Sequence, residues 1–233
     1  MSRVRVVSYN VHGLRRGPAV AEVLRELAPD IVGVQEPGRG PLGHWRLHLL
    51  CRRTGLRAVG PPWRTVALLV APGLEVSSSR RLRLPRDRPT AHRPWPQARG
   101  ALIAQVGGLS VVVLHLGLSA GARTGQLDAL DGVRTGDVRR VVLADLNERP
   151  GGSSWRRLTS PLVDAARDAG STYPAVEPEA RIDAVLIGAG IVVRSAHVAR
   201  SQAARTASDH LPVAVDLAPA PAVDLAVDLG GVR

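Results

Sequence analysis

Eight polar side chains stand where apolar runs end or break. Asn10 and His12 follow VRVVSY, Glu36 follows IVGVQ, and His115 sits near the end of VVVLHL. Asp145 and Asn147 close VVLADLN, and Asp209 and His210 precede LPVAVDL. Each has an ordinary structural explanation when taken alone: a turn former, a cap, a buried histidine. Their joint identity argues for chemistry, because strand ends on one sheet edge pool side chains from distant sequence. The carboxylates Glu36, Asp145 and Asp209 with the amides Asn10 and Asn147 make an oxygen-only set, which suits a hard cation such as Mg²⁺ or Mn²⁺. Zinc suits it less, since His12, His115 and His210 lack the i, i+4 helical spacing of hydrolytic zinc motifs.

The elements that must hold these residues are mostly strands. Arg3 to Asn10, with valines alternating before a polar stop, reads as a strand. Pro18 to Leu27 has apolar residues at helical spacing, and Ile31 to Gln35 is a short buried strand. Residues 65–70, 101–106, 110–116, 138–144, 182–187 and 211–217 repeat the apolar, β-branched pattern between turns rich in Gly, Pro and Asp. Helices are predicted at 122–130 and 155–158. Residues 85–96, rich in Pro and Arg, read as a long loop where function often sits. One α/β domain is expected over residues 1–217, followed by a low-complexity tail at 218–233.

The 233 residues are 45% hydrophobic and 22% charged, a composition that excludes wholesale disorder and fibrous classes. No apolar run approaches the roughly 18 residues of a membrane span, and the start MSRVRVVSYN lacks the parts of a secretory leader. A cytoplasmic monomer is expected. Cys51, the single cysteine, excludes an internal disulfide.

Charge is divided unevenly. All 31 basic residues are arginine, and the net charge is +11. Residues 1–100 hold eighteen arginines against six acids, whereas 101–233 hold thirteen against fourteen. Guanidinium forks suit bidentate phosphate contact, so a phosphate-containing partner is expected, with Arg93, Arg99 and His12 as candidate phosphate contacts. The plainer reading of the run from Arg80 to Arg99 is a solvated loop in a chain biased toward arginine.

The ordered segments SYNVHG, VGVQE, VVVLHL, VVLADLN, RIDAVLI and SDHLPV resemble the endonuclease/exonuclease/phosphatase superfamily over nearly the whole chain. The resemblance implies a four-layer α/β/β/α sandwich with two packed mixed β-sheets and an active site at one rim. It implies a metal-dependent phosphoric ester hydrolase using Mg²⁺ or Mn²⁺, with Glu36, Asn10 and Asp209 as metal ligands. By the same resemblance Asp145 activates the attacking water, while Asn147, His115 and His210 meet the phosphate. Asp183, in RIDAVLI, would orient His210. Ala144 and Ala184 depart from the family pattern, which has glycine and often an aromatic at these positions.

Three functional classes follow. A nuclease on DNA or RNA fits the positive charge and Trp63 and Trp95 as stacking platforms. A phosphatase or phosphodiesterase on a small phosphorylated metabolite or lipid headgroup uses the same site. A non-catalytic nucleic-acid-binding protein, for DNA-binding or RNA-binding alike, would be expected to have lost part of the set Glu36, Asp145, Asp209 and His210, and none is lost.

Overall fold

A computed structural model describes residues 3–63, 65–87, 95–131 and 137–220. Val4–Asn10 is β1, the 3₁₀ turn His12–Leu14 follows, and Gly17–Leu27 is α1. Ile31–Gln35 is β2, Gly40–Thr54 is α2, Arg57–Ala58 is β3 and Val66–Val70 is β4. Val76–Leu84 (β5), Arg99–Val106 (β6) and Leu109–His115 (β7) lead into Ala120–Asp131 (α3). Arg140–Asp145 is β8, Ser153–Thr159 is α4, Val163–Asp164 is β9 and Asp183–Ile187 is β10. Ile191–Val198 (β11), Gln202–Ala207 (α5) and Val213–Pro219 (β12) follow.

The strands form two mixed sheets of six, in the orders β11-β12-β1-β2-β4-β3 and β5-β6-β7-β8-β10-β9. Each sheet has one parallel pair near its middle, β1 with β2 and β7 with β8. These pairs pack face to face, which explains why β1, β2, β7 and β8 read as nearly continuous apolar runs: their inner faces meet the other sheet and their outer faces lie under helices. Gly33 marks how closely the sheets approach, since a Cβ there would collide with the Leu143 side chain. Val6, Val34, Val111, Leu143 and Val185 belong to the large core that continues under α1 and α2. A smaller core, with Leu114, Leu127, Trp155 and Leu158, lies on the other side of the second sheet under α3 and α4. The expected four-layer sandwich is the architecture found.

Register places the chemistry. Asn10 pairs with Gln35 across β1 and β2, which brings Glu36 to the same rim. His115 pairs with Asp145, and Asp145 pairs with Asp183 on its other side. Ala144 and Ala184 are direct cross-strand partners one step below, both fully buried. Between the sheets, Gln35 Nε2 donates to Ser8 Oγ at 3.3 Å and to the Leu143 carbonyl at 3.2 Å, a polar tie beneath the rim.

α2, β3, β5, β9, β11 and α5 lie beyond the elements expected from the sequence. α2 begins with Gly40-Pro41, which reads as a turn, yet proline is tolerated in a first helical turn, and Leu47 and Leu50 bury its inner side. β5 is polar along most of its length and takes its conformation from backbone pairing with β6 at the sheet edge. Arg80, Arg81 and Arg83, read with Arg99 as part of a solvated loop, therefore lie on a strand. β11 is a half-exposed edge strand, and α5 is a single short helix capped by Ser201, whose Oγ accepts from the Ala204 N–H. β12 also runs on through Ala218 and Pro219, so strand pairing takes in the start of the segment read as a tail; residues 221–233 lie outside the described residues.

Candidate active site

Asp145, the last residue of β8, is fully buried at the rim. Its Oδ2 accepts from Asn10 Nδ2 at 2.9 Å, and its Oδ1 accepts from the Asn147 backbone N–H at 3.0 Å. His115 Nε2 lies 3.4 Å and His210 Nε2 4.0 Å from the same Oδ2. Burial pushes the Asp145 carboxyl up to about 6; His210 opposes that shift, Asp183 adds to it, and the Asn10 and Asn147 bonds oppose it. A carboxylate with that affinity for a proton is a base matched to neutral pH.

His210 stands on the other wall. Its Nδ1–H donates to Asp183 Oδ2 at 2.9 Å, which directs Nε2 toward Asp145. Burial would lower the His210 pKa, but the charge and hydrogen bond of Asp183, with Asp145 and Asp209 behind them, carry it up to about 10. The ring is an imidazolium at neutral pH, suited to hold an anionic oxygen. The Tyr173 ring packs against it with centroids 4.8 Å apart.

Two turns depend on unusual backbone. Glu36 (φ 53°) and Asn147 (φ 49°) both occupy the left-handed region that β-carbon-bearing residues seldom enter. Asn tolerates that region through its short polar side chain, and Asn147 Nδ2 donates to the Leu116 carbonyl at 2.9 Å. Glu36 is held by backbone bonds on both sides, to Thr65 and Gly13. Its carboxylate is 35% exposed and 4.0 Å from His115 Nε2. Asp209 takes His12 Nδ1 at 2.7 Å on Oδ2, and the His12 backbone N–H donates to Asn10 Oδ1 at 3.1 Å.

Asn10, His12, Glu36, His115, Asp145, Asn147, Asp209 and His210 thus line one cleft of about 600 Å³, with Asp183 directly behind His210. Glu36, Asn10 and Asp209 line that cleft and present oxygen donors of the kind that fit a hard divalent cation. Asp145, Asp183 and His210 bring one ligand-type atom each within 4.8 Å of one another, and His210 and Asp183 are already hydrogen-bonded to each other.

Arg99 also lines the cleft, but its side chain is buried and two of its nitrogens donate to Asp87 Oδ2 at 2.9 and 2.8 Å. Gln126 Nε2 holds the other Asp87 oxygen at 2.9 Å. The charge expected to meet phosphate is therefore balanced internally. Arg93 lies outside the described residues. Sequence reasoning missed Arg15, Arg39 and Tyr173, all of which line the cleft; the arginine excess of the first hundred residues was the available signal for two of them. It also missed Arg123. Nη1 of this buried residue donates to the carbonyls of Leu118 at 2.7 Å and Asn147 at 3.3 Å, while Nη2 donates to Glu148 Oε1 at 2.8 Å. Glu148 Oε2 in turn accepts from the Ser154 N–H at 2.7 Å, capping α4.

Two facing mixed sheets thus bring a buried carboxylate, a histidine and two amides together at the ends of their central strands. The chain belongs to the endonuclease/exonuclease/phosphatase family, whose model matches residues 7–210. Solved structures share the fold. A mannosyl-6-phosphatase of Bacteroides thetaiotaomicron is 18% identical with TM-score 0.74, covering 92% of this chain and 99% of that one. The human Nocturnin catalytic domain with bound sulfate is 18% identical with TM-score 0.72, covering 94% and 95%. D. rerio TDP2 complexed with single strand DNA product is 17% identical with TM-score 0.70, covering 94% and 100%. At these identities the likeness is one of fold. Among curated proteins none matches the chain.

Proposed function

We propose that the protein is a divalent-metal-dependent nuclease that cleaves phosphodiester bonds by in-line attack of water. The observation that carries the hydrolytic reading is the Asp145 carboxylate, buried, oriented by Asn10 and the Asn147 N–H, and faced by His115 and His210. Glu36, Asn10 and Asp209 would hold a Mg²⁺ or Mn²⁺ ion, which would supply positive charge against the phosphate. Asp145 accepts the proton of the attacking water, whose oxygen bonds to phosphorus as the ester bond breaks and its electron pair departs on the leaving oxygen. The His210 imidazolium donates through Nε2 to a non-bridging oxygen, and the Asn147 amide and His115 help hold the phosphoryl group.

The nucleic-acid reading is favoured by the cleft rim. Arg15 and Arg39 stand there with Tyr173, and Trp95, 77% exposed, presents its indole to solvent. Guanidinium groups follow a phosphate backbone and aromatic faces stack on bases. The test supplies Mg²⁺ or Mn²⁺ with single- and double-stranded DNA and RNA beside phosphosugars and inositol phosphates. Shortened oligonucleotides support the nuclease, whereas release of inorganic phosphate alone assigns the protein to the small-ester phosphatases.

A further inference from the structure

Away from the cleft residues, one stretch of the chain is almost without negative charge. Between Glu36 and Asp87 the sequence carries ten arginines and a single acid, Glu75. The fold collects this stretch at one end of the sandwich. The β3–β4 edge of the first sheet meets β5 of the second where Trp63 Nε1 donates to the Leu82 carbonyl at 3.0 Å and Arg81 donates to the Pro61 carbonyl at 3.2 Å. Arg52, Arg53, Arg57, Arg80, Arg81 and Arg83 are all exposed there. The ion pairs among the described residues involve none of the six.

A chain of depressions joins that surface to the cleft. Gly38 and Arg39, at the cleft rim, also line a neighbouring hollow of about 200 Å³. His44 and Pro62 pass from that hollow into a groove of about 530 Å³ between α2 and the β3 edge. His44, His48 and Arg52 line it at intervals of four residues, so they form one stripe along α2. Arg57 continues the line beyond the helix end. At about 1.5 Å of rise per residue, the path from Arg39 to Arg52 is roughly 20 Å long.

We propose that this groove is a binding track for a single-stranded polynucleotide, leading the strand away from the cleft along α2 to Arg52 and Arg57. Charge complementarity carries the choice of occupant. A small phosphoester reacting at Asp145 has no use for cations about 20 Å further on, while a flexible polyanion leaving Arg39 passes His44 and His48 to reach Arg52 and Arg57 and releases counterions at each guanidinium. The groove combines Arg52 and Arg57 with the imidazoles of His44 and His48 and the apolar Leu47 and Pro61. Single-strand tracks use this pairing of cationic rail and stacking surface. The proposal rests on the nucleic-acid reading of the cleft but uses different residues.

Fluorescence anisotropy tests it with a labelled 20-nucleotide strand and a labelled dinucleotide, each titrated onto full-length Asp145→Asn chain with and without Arg52→Glu/Arg57→Glu. The expected result is that the longer strand binds far more tightly and that charge reversal weakens it on the order of tenfold or more. The salt dependence of its binding should also become shallower by about 0.7 for each phosphate that the altered chain no longer neutralises, with the dinucleotide changed less than twofold. Equal binding of the two lengths, or an equal weakening of both, overturns the track. Should the reversed chain not fold, Arg52→Ala/Arg57→Ala gives the same comparison. Anionic phospholipid vesicles competing as well as the strand, and losing that ability with the same substitutions, would assign the face to a membrane surface instead. Length-dependent binding without hydrolysis of any oligonucleotide by the wild-type chain would retain the track and remove the nuclease.

Discussion

The Nδ1–H of His210 donates to Asp183 Oδ2 at 2.9 Å, and this bond both orients the ring and keeps it charged. Asp183 is completely buried, so the bond is made away from competing water. Replacing Asp183 by Asn removes the main influence that raises the His210 pKa and leaves burial, which lowers it. The imidazole resonances of His210 in metal-free Asp183→Asn protein should then titrate well below about 10, and turnover should fall most at alkaline pH. An unshifted titration would show that Asp183 does not set the charge of the ring.

Asp145→Asn preserves the shape of the side chain and removes the base. Turnover of an oligonucleotide should fall by about 10²–10⁴-fold, the usual contribution of a positioned general base, with KM changed little. Steady-state kinetics separates the two. Unchanged turnover would remove Asp145 from the reaction.

Glu36→Gln replaces an anionic oxygen donor by a neutral one at the cleft mouth. Weaker Mn²⁺ binding is expected by calorimetry on the substrate-free chain, on the order of tenfold or more, together with a higher metal requirement for turnover. Identical Mn²⁺ isotherms for the two proteins would move the ion away from Glu36.

Arg123 ties the turn after β7 to the turn after β8. Arg123→Ala removes a donor from the Leu118 and Asn147 carbonyls and leaves Glu148 without its cation, and breaking one side of a buried ion pair costs about 3–5 kcal/mol. Urea denaturation should register a loss of that order. A change under about 0.5 kcal/mol, the size usual for surface substitutions, would show that the clamp contributes little.

Asp216 binds β1 to β12 from below. Arg5 hydrogen bonds hold its carboxyl below the usual range, burial works the other way, and Arg3 and Ser195 add to the lowering. A depressed carboxyl pKa stabilises the fold above the unfolded value of about 3.9 and ceases to do so as pH falls through the folded value. Wild type should therefore exceed Asp216→Asn in urea midpoint at pH 7, and the gap should narrow below about pH 4. A gap that does not change with pH would contradict the linkage.

The chain's linear order was enough to locate the strands that carry the site. Continuous apolar runs buried on both faces announce themselves, and Asp145, Asn147, Asp209 and His210 are local punctuation at their ends. α2 and β5 were illegible for the opposite reason: one opens on turn-forming residues, and the other is a polar edge whose conformation comes from hydrogen bonds to β6 rather than from its own side chains.

Pairing is made by the tertiary structure, although the family resemblance implied that Asp183 would orient His210. Asn10 reaches Asp145 across 135 positions, and His210 reaches Asp183 across 27. Nothing local encodes those meetings, because strand order and register decide which side chains face one another. The same holds for Arg99, whose charge looked free until folding set Asp87 against it. A residue's type is written in its own codon, but its electrostatic environment is made by whatever the fold brings beside it.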